Sequence, residues 1–245
     1  MEEEQLTRRE KKKLKKQESE KSTISAPSIN IKRFIPWLVV IAIIGGGLFY
    51  LFRPAPPTDQ PQEQVVMGQT VMSETDHIKG NRDSGVIIYE YSDFQCPACA
   101  YYETILRDVF SQKSDSFALV YRNFPLSQIH KNADVAAYAA EAAANQDKFW
   151  EMHDKLFDNQ DAWAESRNPK DEFKKYAEEI GLDIDQFESD MNSNEVKTRV
   201  DYDYVSAVSL KLDSTPTFIL DDKKITFRDA TELIQIIESK AGENQ

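Results

Sequence analysis

The chain contains few of the residues that build metal sites and disulfide-stabilised scaffolds. Its 245 residues include two cysteines, Cys96 and Cys99, and three histidines. A structural zinc site usually takes four ligands from two close pairs, whereas His130 and His153 lie twenty-three positions apart. A disulfide between residues as close as the two cysteines encloses almost no chain and stabilises it little. We therefore expect no metal site and no structural disulfide.

Positive charge is also scarce over most of the chain. The net charge is −12, and residues 53–245 carry twenty Lys/Arg against thirty-six Asp/Glu, a net of −16. Residues 1–33 differ, with ten Lys/Arg against six Asp/Glu. An acidic surface repels the phosphates of nucleic acids, so we expect no nucleic-acid partner.

One segment lacks charged residues altogether. Phe34 to Phe52 is a run of nineteen uncharged residues, about the length that spans a bilayer as a helix. The basic and proline-rich flanks argue against a buried core helix. A cleaved signal peptide is the other alternative, although no A-x-A-like site follows the apolar run. The pattern favours an uncleaved single-span anchor in the cell membrane.

The distribution of Lys and Arg predicts the orientation of this anchor. Basic residues are concentrated before Phe34, whereas Arg53 stands alone after the apolar run. Cytoplasmic flanks carry the excess of positive charge. The N-terminus is therefore expected in the cytoplasm and the remainder outside, in the periplasm or at the cell surface, where disulfides persist.

The composition divides the chain into four parts. Residues 1–33 form a charged cytoplasmic tail, and 34–52 form the predicted transmembrane helix. Residues 53–75 are rich in proline and glutamine and predict an extracytoplasmic linker. Residues 76–245 predict a folded domain.

The pattern within the folded domain predicts an α/β sheet. Short runs rich in β-branched and aromatic residues indicate strands, and apolar residues at helical spacing indicate helices. The predicted order is strand, helix, strand, a block of helices, a hairpin and a last helix. The strands are placed at 86–92, 117–124, 217–221 and 224–227, and the helical insertion at 126–213.

The sequence places Cys96 where a strand ends and a helix begins, in the run SDFQCPACAYYE. Pro97 suits the first helical position. The unpaired N–H groups and the partial positive charge of a helix N-terminus stabilise a thiolate. Cys96 is thus expected to be a good nucleophile and leaving group. Cys99 lies on the same helical face and can form a disulfide with it, so we interpret the pair as redox-active.

Two further residues have more than one interpretation. Glu90 stands in an apolar strand, either as a solvated edge residue or as a buried carboxyl that accepts a proton from Cys99. Asp93, which is nearer the cysteines, is a candidate for part of that role. Pro216, in the run STPTF, would from its sequence alone follow a trans peptide bond.

These motifs together resemble a known family. The CPAC motif, the helical run IHKNADVAAYAAEAAANQDKFWEMHDKLF and the downstream STPTFILDDKKI resemble DsbA-like thiol–disulfide oxidoreductases of the thioredoxin superfamily. The resemblance covers about residues 74–241. It implies a thioredoxin fold with an inserted helical domain, and catalysis without a cofactor.

The resemblance also implies roles for individual residues. Cys96 would be the exposed nucleophile, Cys99 the buried resolving cysteine, and Glu90 the buried glutamate of the family. Thr215 and Pro216 would form a cis-proline dipeptide packed against Cys96, and its backbone would pair with an extended substrate.

The dipeptide between the cysteines and the predicted hairpin depart from the family pattern. Pro97 and Ala98 are assigned to the substrate-binding surface, but Ala98 replaces the histidine of the most oxidising members and predicts a less oxidising pair. Ser214 replaces a glycine, and Asp221–Asp222 replaces Asn-Gly in the hairpin turn, where Asp is a less usual residue.

The predicted function is to form disulfides in exported proteins through Cys96 and Cys99. The expected partners are thiol-containing exported proteins and a quinone-linked membrane protein that reoxidises the pair, and the chain is expected to be a monomer. One alternative is a disulfide reductase or isomerase of the same fold. Another is a non-catalytic tethered metallochaperone or binding protein.

Overall fold

A computed structural model gives the structure of residues 64–65 and 70–243. The predicted cytoplasmic tail and the predicted transmembrane helix, 34–52, lie outside these residues. Within the described residues, no helix has the length and apolar character needed to cross a membrane.

A mixed sheet forms the centre of the described domain. Its strands lie in the order β1-β6-β5-β3-β4-β2. The pair β3–β4 is parallel and the other pairs are antiparallel. The six strands are β1 (Gln64–Val65), β2 (His77–Gly80), β3 (Ile87–Ser92), β4 (Ala118–Asn123), β5 (Thr217–Leu220) and β6 (Lys223–Lys224).

Eight helices accompany the sheet in the described residues. Helix α1 connects the parallel strands β3 and β4, six helices lie between β4 and β5, and the last helix follows β6. The helices are α1 (Pro97–Lys113), α2 (Ala133–Ala144), α3 (Phe149–Asp158), α4 (Gln160–Trp163), α5 (Lys170–Glu179), α6 (Ile184–Asn192), α7 (Asn194–Ser209) and α8 (Ala230–Glu243). The architecture is the predicted α/β fold with a helical insertion.

Strand β3 is paired on both edges, with β5 and β4, and both of its faces are covered by helices. Its side chains alternate in direction, as strand geometry requires. Ile88 packs with Leu106 of α1 and Leu233 of α8, whereas Tyr91 on the other face packs with Ala207 of α7. The alternation therefore places Glu90, which shares a face with Ile88, inside the domain.

The helical insertion is built around the alanine-rich helix α2. Its alanines are buried on nearly every side, and such small side chains let neighbouring helices approach closely. Helices α6 and α7 begin at capping residues. Asp183 accepts a hydrogen bond from the N–H of Gln186 at 2.9 Å, and Ser193 accepts one from Val196 at 3.1 Å. Side-chain caps of this kind typically stabilise a helix by about 1 kcal/mol.

The N-terminal side of the domain differs from the sequence prediction. Strand β2 was not predicted, because HIKG is short and lacks a clear apolar alternation. Gln64–Val65, inside the segment predicted as a linker, pairs with Lys223–Lys224. Residues 70–76 also contact the domain, since the buried Arg122 guanidinium donates to Asp76 Oδ2 at 2.9 Å and to the Val71 carbonyl at 2.8 Å.

The β5–β6 hairpin is shorter than predicted. Its second strand is Lys223–Lys224 rather than residues 224–227. Asp221 and Asp222 form the turn with φ of 53° and 58°. A two-residue turn with both φ values positive matches the twist of a hairpin. Asp is among the few residues besides glycine that adopt this conformation. The less usual Asp221–Asp222 pair therefore still forms the hairpin turn.

Candidate active site

Cys96 occupies the junction between β3 and α1. It is the capping residue of α1 and has an extended backbone, with φ of −73° and ψ of 121°. Pro97 is the first helical residue, and the Cys96 carbonyl accepts the hydrogen bond of Ala100 N at 3.2 Å. Because Cys99 lies in the first turn of α1, the strand–helix junction brings both cysteines to the N-terminus of the helix, as the sequence predicted.

The two cysteines differ in their access to solvent. Cys96 is 7 % exposed and Cys99 is 0 % exposed, and both are free thiols. The intervening residues Pro97 and Ala98 are exposed. Cys96 is therefore more enclosed than the exposed nucleophile that was expected, but it is the residue of the pair with measurable surface exposure.

The Thr215–Pro216 dipeptide covers Cys96 from the opposite side. The peptide bond between them is cis, as the family resemblance implied and contrary to the general preference for trans. The Cys96 Sγ lies 3.5 Å from the Thr215 carbonyl oxygen and donates a hydrogen bond to it as a thiol. These residues, 119 positions apart, meet because β5 pairs antiparallel with β3, with Thr217 opposite Tyr91.

The surroundings shift the pKa values of the two thiols in opposite directions. The pKa of Cys96 is lowered to about 6, first by a hydrogen bond with the Cys99 side chain and further by the backbone N–H groups of Ala98 and Cys99, although burial opposes the shift. Burial, followed by the neighbouring Cys96, raises the pKa of Cys99 well above its usual value. At neutral pH the reduced pair therefore consists of a Cys96 thiolate and a Cys99 thiol.

Replacing Cys99 with alanine is expected to raise the pKa of Cys96 clearly above about 6, toward the ordinary thiol value of about 9. The variant lacks the hydrogen bond that contributes most to the low value. A Cys99→Ser variant keeps a donor and serves as the matched control, with a smaller rise. Each variant contains a single thiol, so the ultraviolet absorbance of the thiolate against pH measures Cys96 alone. A midpoint that stays near 6 in Cys99→Ala would contradict the assigned cause.

Glu90 is a buried carboxyl on the central strand of the sheet. It is 1 % exposed, and neither carboxylate oxygen has a hydrogen-bond partner among the described residues. Burial, and next the nearby Glu103 carboxylate, raise the pKa of Glu90 to about 8. The interpretation of Glu90 as a solvated edge residue is therefore wrong. At neutral pH it is mostly protonated and able to donate a proton.

Asp93 holds the backbone in front of Cys96. One carboxylate oxygen accepts from the N–H of Gln95 at 2.7 Å, and the other accepts from the N–H of Leu126 at 2.9 Å and lies 2.7 Å from His130 Nδ1. These contacts tie the segment before Cys96 to the loop after β4. They indicate a positioning role for Asp93 rather than the proton-transfer role considered for it.

A buried group of charged residues next to Glu90 was not found from the sequence. Glu103, four residues after Cys99 on α1, lies 3.7 Å from His153 Nε2 through Oε2 and 3.4 Å from Arg107 Nε through Oε1. Asp154 completes three potential metal ligands with Glu103 and His153. The Arg107 guanidinium also lies 3.6 Å from Asp154 and offsets part of the negative charge of this group. The feature of the sequence that could have indicated this group is an acidic residue, Glu103, one helical turn after Cys99.

The fold and the cysteine pair together define a thioredoxin-like protein. The parallel β3–α1–β4 unit carries the pair at the start of its helix, and the cis-proline loop faces it. A family model described as Thioredoxin matches residues 72–239, which is more than half of the chain. The protein therefore belongs to the thioredoxin family.

Solved structures support the same fold. The chain is similar to a thioredoxin-like oxidoreductase from Silicibacter pomeroyi DSS-3, with 25% identity, a TM-score of 0.59, and coverage of 70% of this chain and 94% of that one. BdbD from Bacillus subtilis gives a TM-score of 0.63 at 23% identity over 73% of this chain and 99% of BdbD. At that identity the second likeness supports the fold alone.

Curated relatives have a different name and a much greater length. The chain is 36% identical over 174 residues to a protein named Na(+)/H(+) antiporter NhaA 1 from Mycolicibacterium gilvum. The match covers 69% of this chain and 27% of that protein. The chain thus spans about a quarter of the length of this relative, most of which has no counterpart in the match.

Proposed function

We propose that the protein is an extracytoplasmic thiol–disulfide oxidoreductase that forms disulfides in exported proteins. The proposal depends chiefly on the opposite pKa shifts of Cys96 and Cys99 beside the Thr215 carbonyl. A low pKa makes Cys96 the better leaving group, and a high pKa keeps Cys99 protonated once the disulfide has opened. The thioredoxin family and the similarity to a thioredoxin-like oxidoreductase at 25% identity are in keeping with this chemistry.

The reaction begins with the oxidised Cys96–Cys99 pair. A substrate thiolate attacks the Cys96 sulfur, the Cys96–Cys99 bond breaks, and a mixed disulfide forms between substrate and Cys96. Cys99 leaves as a thiolate and receives a proton, which Glu90 donates. A second substrate thiolate then attacks the substrate sulfur, and Cys96 leaves as a thiolate. The substrate loses two electrons to become a disulfide, and the cysteine pair gains them.

Glu90 thus donates a proton in the oxidising direction and accepts one in the reverse direction. Its pKa of about 8 allows both forms near neutral pH, and efficient proton transfer requires a pKa near the working pH. The acceptor role predicted from the sequence therefore applies only to the reverse reaction.

Thr215 and Pro216 are proposed to position the substrate, with Pro97 and Ala98 forming the exposed surface beside the sulfur. The Thr215 carbonyl bonds the Cys96 thiol and loses that bond when the thiol ionises. The backbone next to β5 is then available to an extended peptide, in the manner of strand addition.

The location and partners are part of the same proposal. The charge distribution around residues 34–52 supports a single-span anchor with the catalytic domain outside the cytoplasm. Exported proteins with free thiols are the proposed substrates. Turnover in the oxidising direction requires an acceptor for two electrons, for which we propose a quinone-linked membrane protein, and the enzyme is proposed to act as a monomer.

The reduction potential of the purified full-length chain, equilibrated in glutathione buffers, tests the direction of the reaction. A value near or above about −180 mV is expected, which is the range of disulfide-forming and disulfide-exchanging enzymes. A value near about −270 mV, typical of thioredoxin, would reverse the direction and make the protein a reductase. Retention of a metal ion by the two cysteines after purification would favour the metallochaperone alternative.

A further inference from the structure

An open groove lies beside the candidate active site and has no role in the chemistry above. Its volume is about 440 Å³. One wall is the loop between β4 and α2 together with the first turns of α2, and the other is helix α7. Apolar and acidic side chains share its lining. The residues that matter to the argument are Ile129, Tyr138, Tyr204, Asp134, Asp201 and Asp213.

Two residues that line the groove, Asp213 and Leu126, connect it to the segments around Cys96. Asp213 precedes Thr215 by two residues, so their Cα atoms lie within about 8 Å of each other. On the other side, the Asp93 carboxylate accepts the N–H of Leu126, a residue of the lining loop. A polypeptide bound at Cys96 therefore passes the opening of the groove within a few residues of its reacting cysteine.

The charge of the groove is negative. Among the described residues that line it, none is Lys, Arg or His. Asp201 is exposed, and Asp134 accepts a hydrogen bond from Ser127 Oγ at 2.7 Å. Lys224 lies 3.5 Å from Asp213 and offsets part of the charge there. The negative charge is thus concentrated around Asp134 and Asp201.

The Asp134 and Asp201 carboxylates both influence the phenol of Tyr138. Burial raises the pKa of the Tyr138 phenol, and the Asp134 and Asp201 carboxylates raise it further. Because a negative charge disfavours ionisation of a neighbouring phenol, both carboxylates face the part of the groove that contains Tyr138. A cation bound there would have two anionic neighbours.

Apolar surface continues the groove along its rim. Ile129 is 73% exposed, and Tyr204, Val205 and Val208 of α7 are also exposed. An adjacent cluster of exposed apolar side chains is typical of an interaction site. The combination of an apolar rim with an acidic interior suits a peptide that carries both apolar and basic side chains.

We propose that this groove binds a basic and apolar segment of the substrate polypeptide next to its reacting cysteine. The inference rests on the proposed function, since it assigns a peptide preference to the same site. Lysine or arginine side chains of the substrate pair with Asp134 and Asp201, and an apolar residue packs on Ile129 and Tyr204.

The rates with two dithiol peptides test this proposal. The peptides are identical except that Ile-Lys-Lys follows the second cysteine in one and Ile-Glu-Glu in the other. With the oxidised full-length chain at low salt, we expect the lysine peptide to react about tenfold faster. At about 1 M salt, where charge interactions are screened within a few ångströms, the ratio of the two rates should approach one.

An Asp201→Asn variant, with Asp115→Asn as its control, separates the groove from the general acidity of the protein. Asp115 is exposed and lies before β4, about 20 Å from the active-site end of that strand. The ratio of the two rates should fall about two- to fivefold in Asp201→Asn, as expected for one exposed charge pair, and stay unchanged in Asp115→Asn.

Other outcomes would overturn the inference in distinguishable ways. Equal rates for the two peptides in the wild-type chain would exclude the groove and leave the proposed function intact, whereas no reaction with either would exclude both. An equal fall in the two variants would assign the preference to the overall charge. A ratio that depends on protein concentration would assign the groove to a second copy of the chain.

Discussion

Replacement of Cys96 by serine is expected to reduce the oxidation of a dithiol peptide to the uncatalysed rate, a loss of about a thousandfold or more. A hydroxyl group cannot form a disulfide and has no thiolate to act as leaving group. The low pKa of Cys96, about 6, and its position at the start of α1 are the reasons for proposing that it is the sulfur that exchanges with substrate. The measurement is the rate at which the full-length chain oxidises the peptide with glutathione disulfide as the final oxidant.

The Cys99→Ser variant is the matched control for this loss. It keeps the nucleophile but cannot release the substrate by closing the Cys96–Cys99 disulfide. With a single-thiol peptide, which has no second thiol to displace Cys96, we therefore expect mixed disulfides between Cys96 and the peptide to accumulate, visible as adducts that thiol reduction removes. Two outcomes would show that the assignment of the two cysteines is incorrect. One is the formation of adducts by Cys96→Ser. The other is full activity of Cys96→Ser together with no adducts in Cys99→Ser.

Replacement of Glu90 by glutamine is expected to stabilise the folded protein by about 3 kcal/mol near pH 7. The folded state raises the pKa of Glu90 from 4.5 to about 8, so ionisation favours the unfolded chain. The stability contributed by the protonated carboxyl is fully present below about pH 4.5 and is lost as the pH rises through about 8. Glutamine stays neutral throughout this range, so the variant does not lose this folding stability as the pH rises.

Chemical denaturation of both proteins at several pH values measures this effect. The difference in unfolding free energy between Glu90→Gln and wild type should be small near pH 4, where both side chains are neutral, and should grow as the pH rises. The exposed Glu195, changed to glutamine, provides a control with no such trend. A difference that is constant with pH would mean that Glu90 is ionised in the folded protein.

The same variant is expected to exchange disulfides more slowly, because glutamine cannot transfer a proton to Cys99. Greater stability with lower activity is a common consequence of replacing a buried ionisable group in an active site. Full retention of activity in Glu90→Gln would leave the stability argument in place and would remove Glu90 from the proposed mechanism.

Several elements could be predicted from the sequence because the determining interactions are local. Strands β3 and β4 stand out as short runs of β-branched and aromatic residues, and α1 begins at a proline directly after Cys96. The low pKa of Cys96 could be expected for the same reason, since a helix N-terminus is formed by residues close in the chain. The structure adds that the Cys99 side chain is the principal hydrogen-bond donor to the Cys96 sulfur.

Other elements depended on contacts that no local pattern indicates. Strand β2 is a four-residue segment, and it forms because β4 supplies a partner edge. The burial of Glu90 follows from the central position of β3 and from the helices that cover its face of the sheet, which a single strand sequence does not specify. Sequence alone therefore left the edge and buried interpretations of Glu90 open.

What the sequence by itself determined about this protein is the position of the two cysteines at a strand–helix junction and the helical block that separates two groups of strands. Only the tertiary structure decided which groups surround the pair. It brought Thr215 to Cys96 across 119 residues, placed Glu103 near Glu90, and formed the acidic groove between α7 on one side and the β4–α2 loop with the start of α2 on the other. Periodicity and turn residues specify each element separately, whereas these sites arise where elements distant in the chain pack against one another.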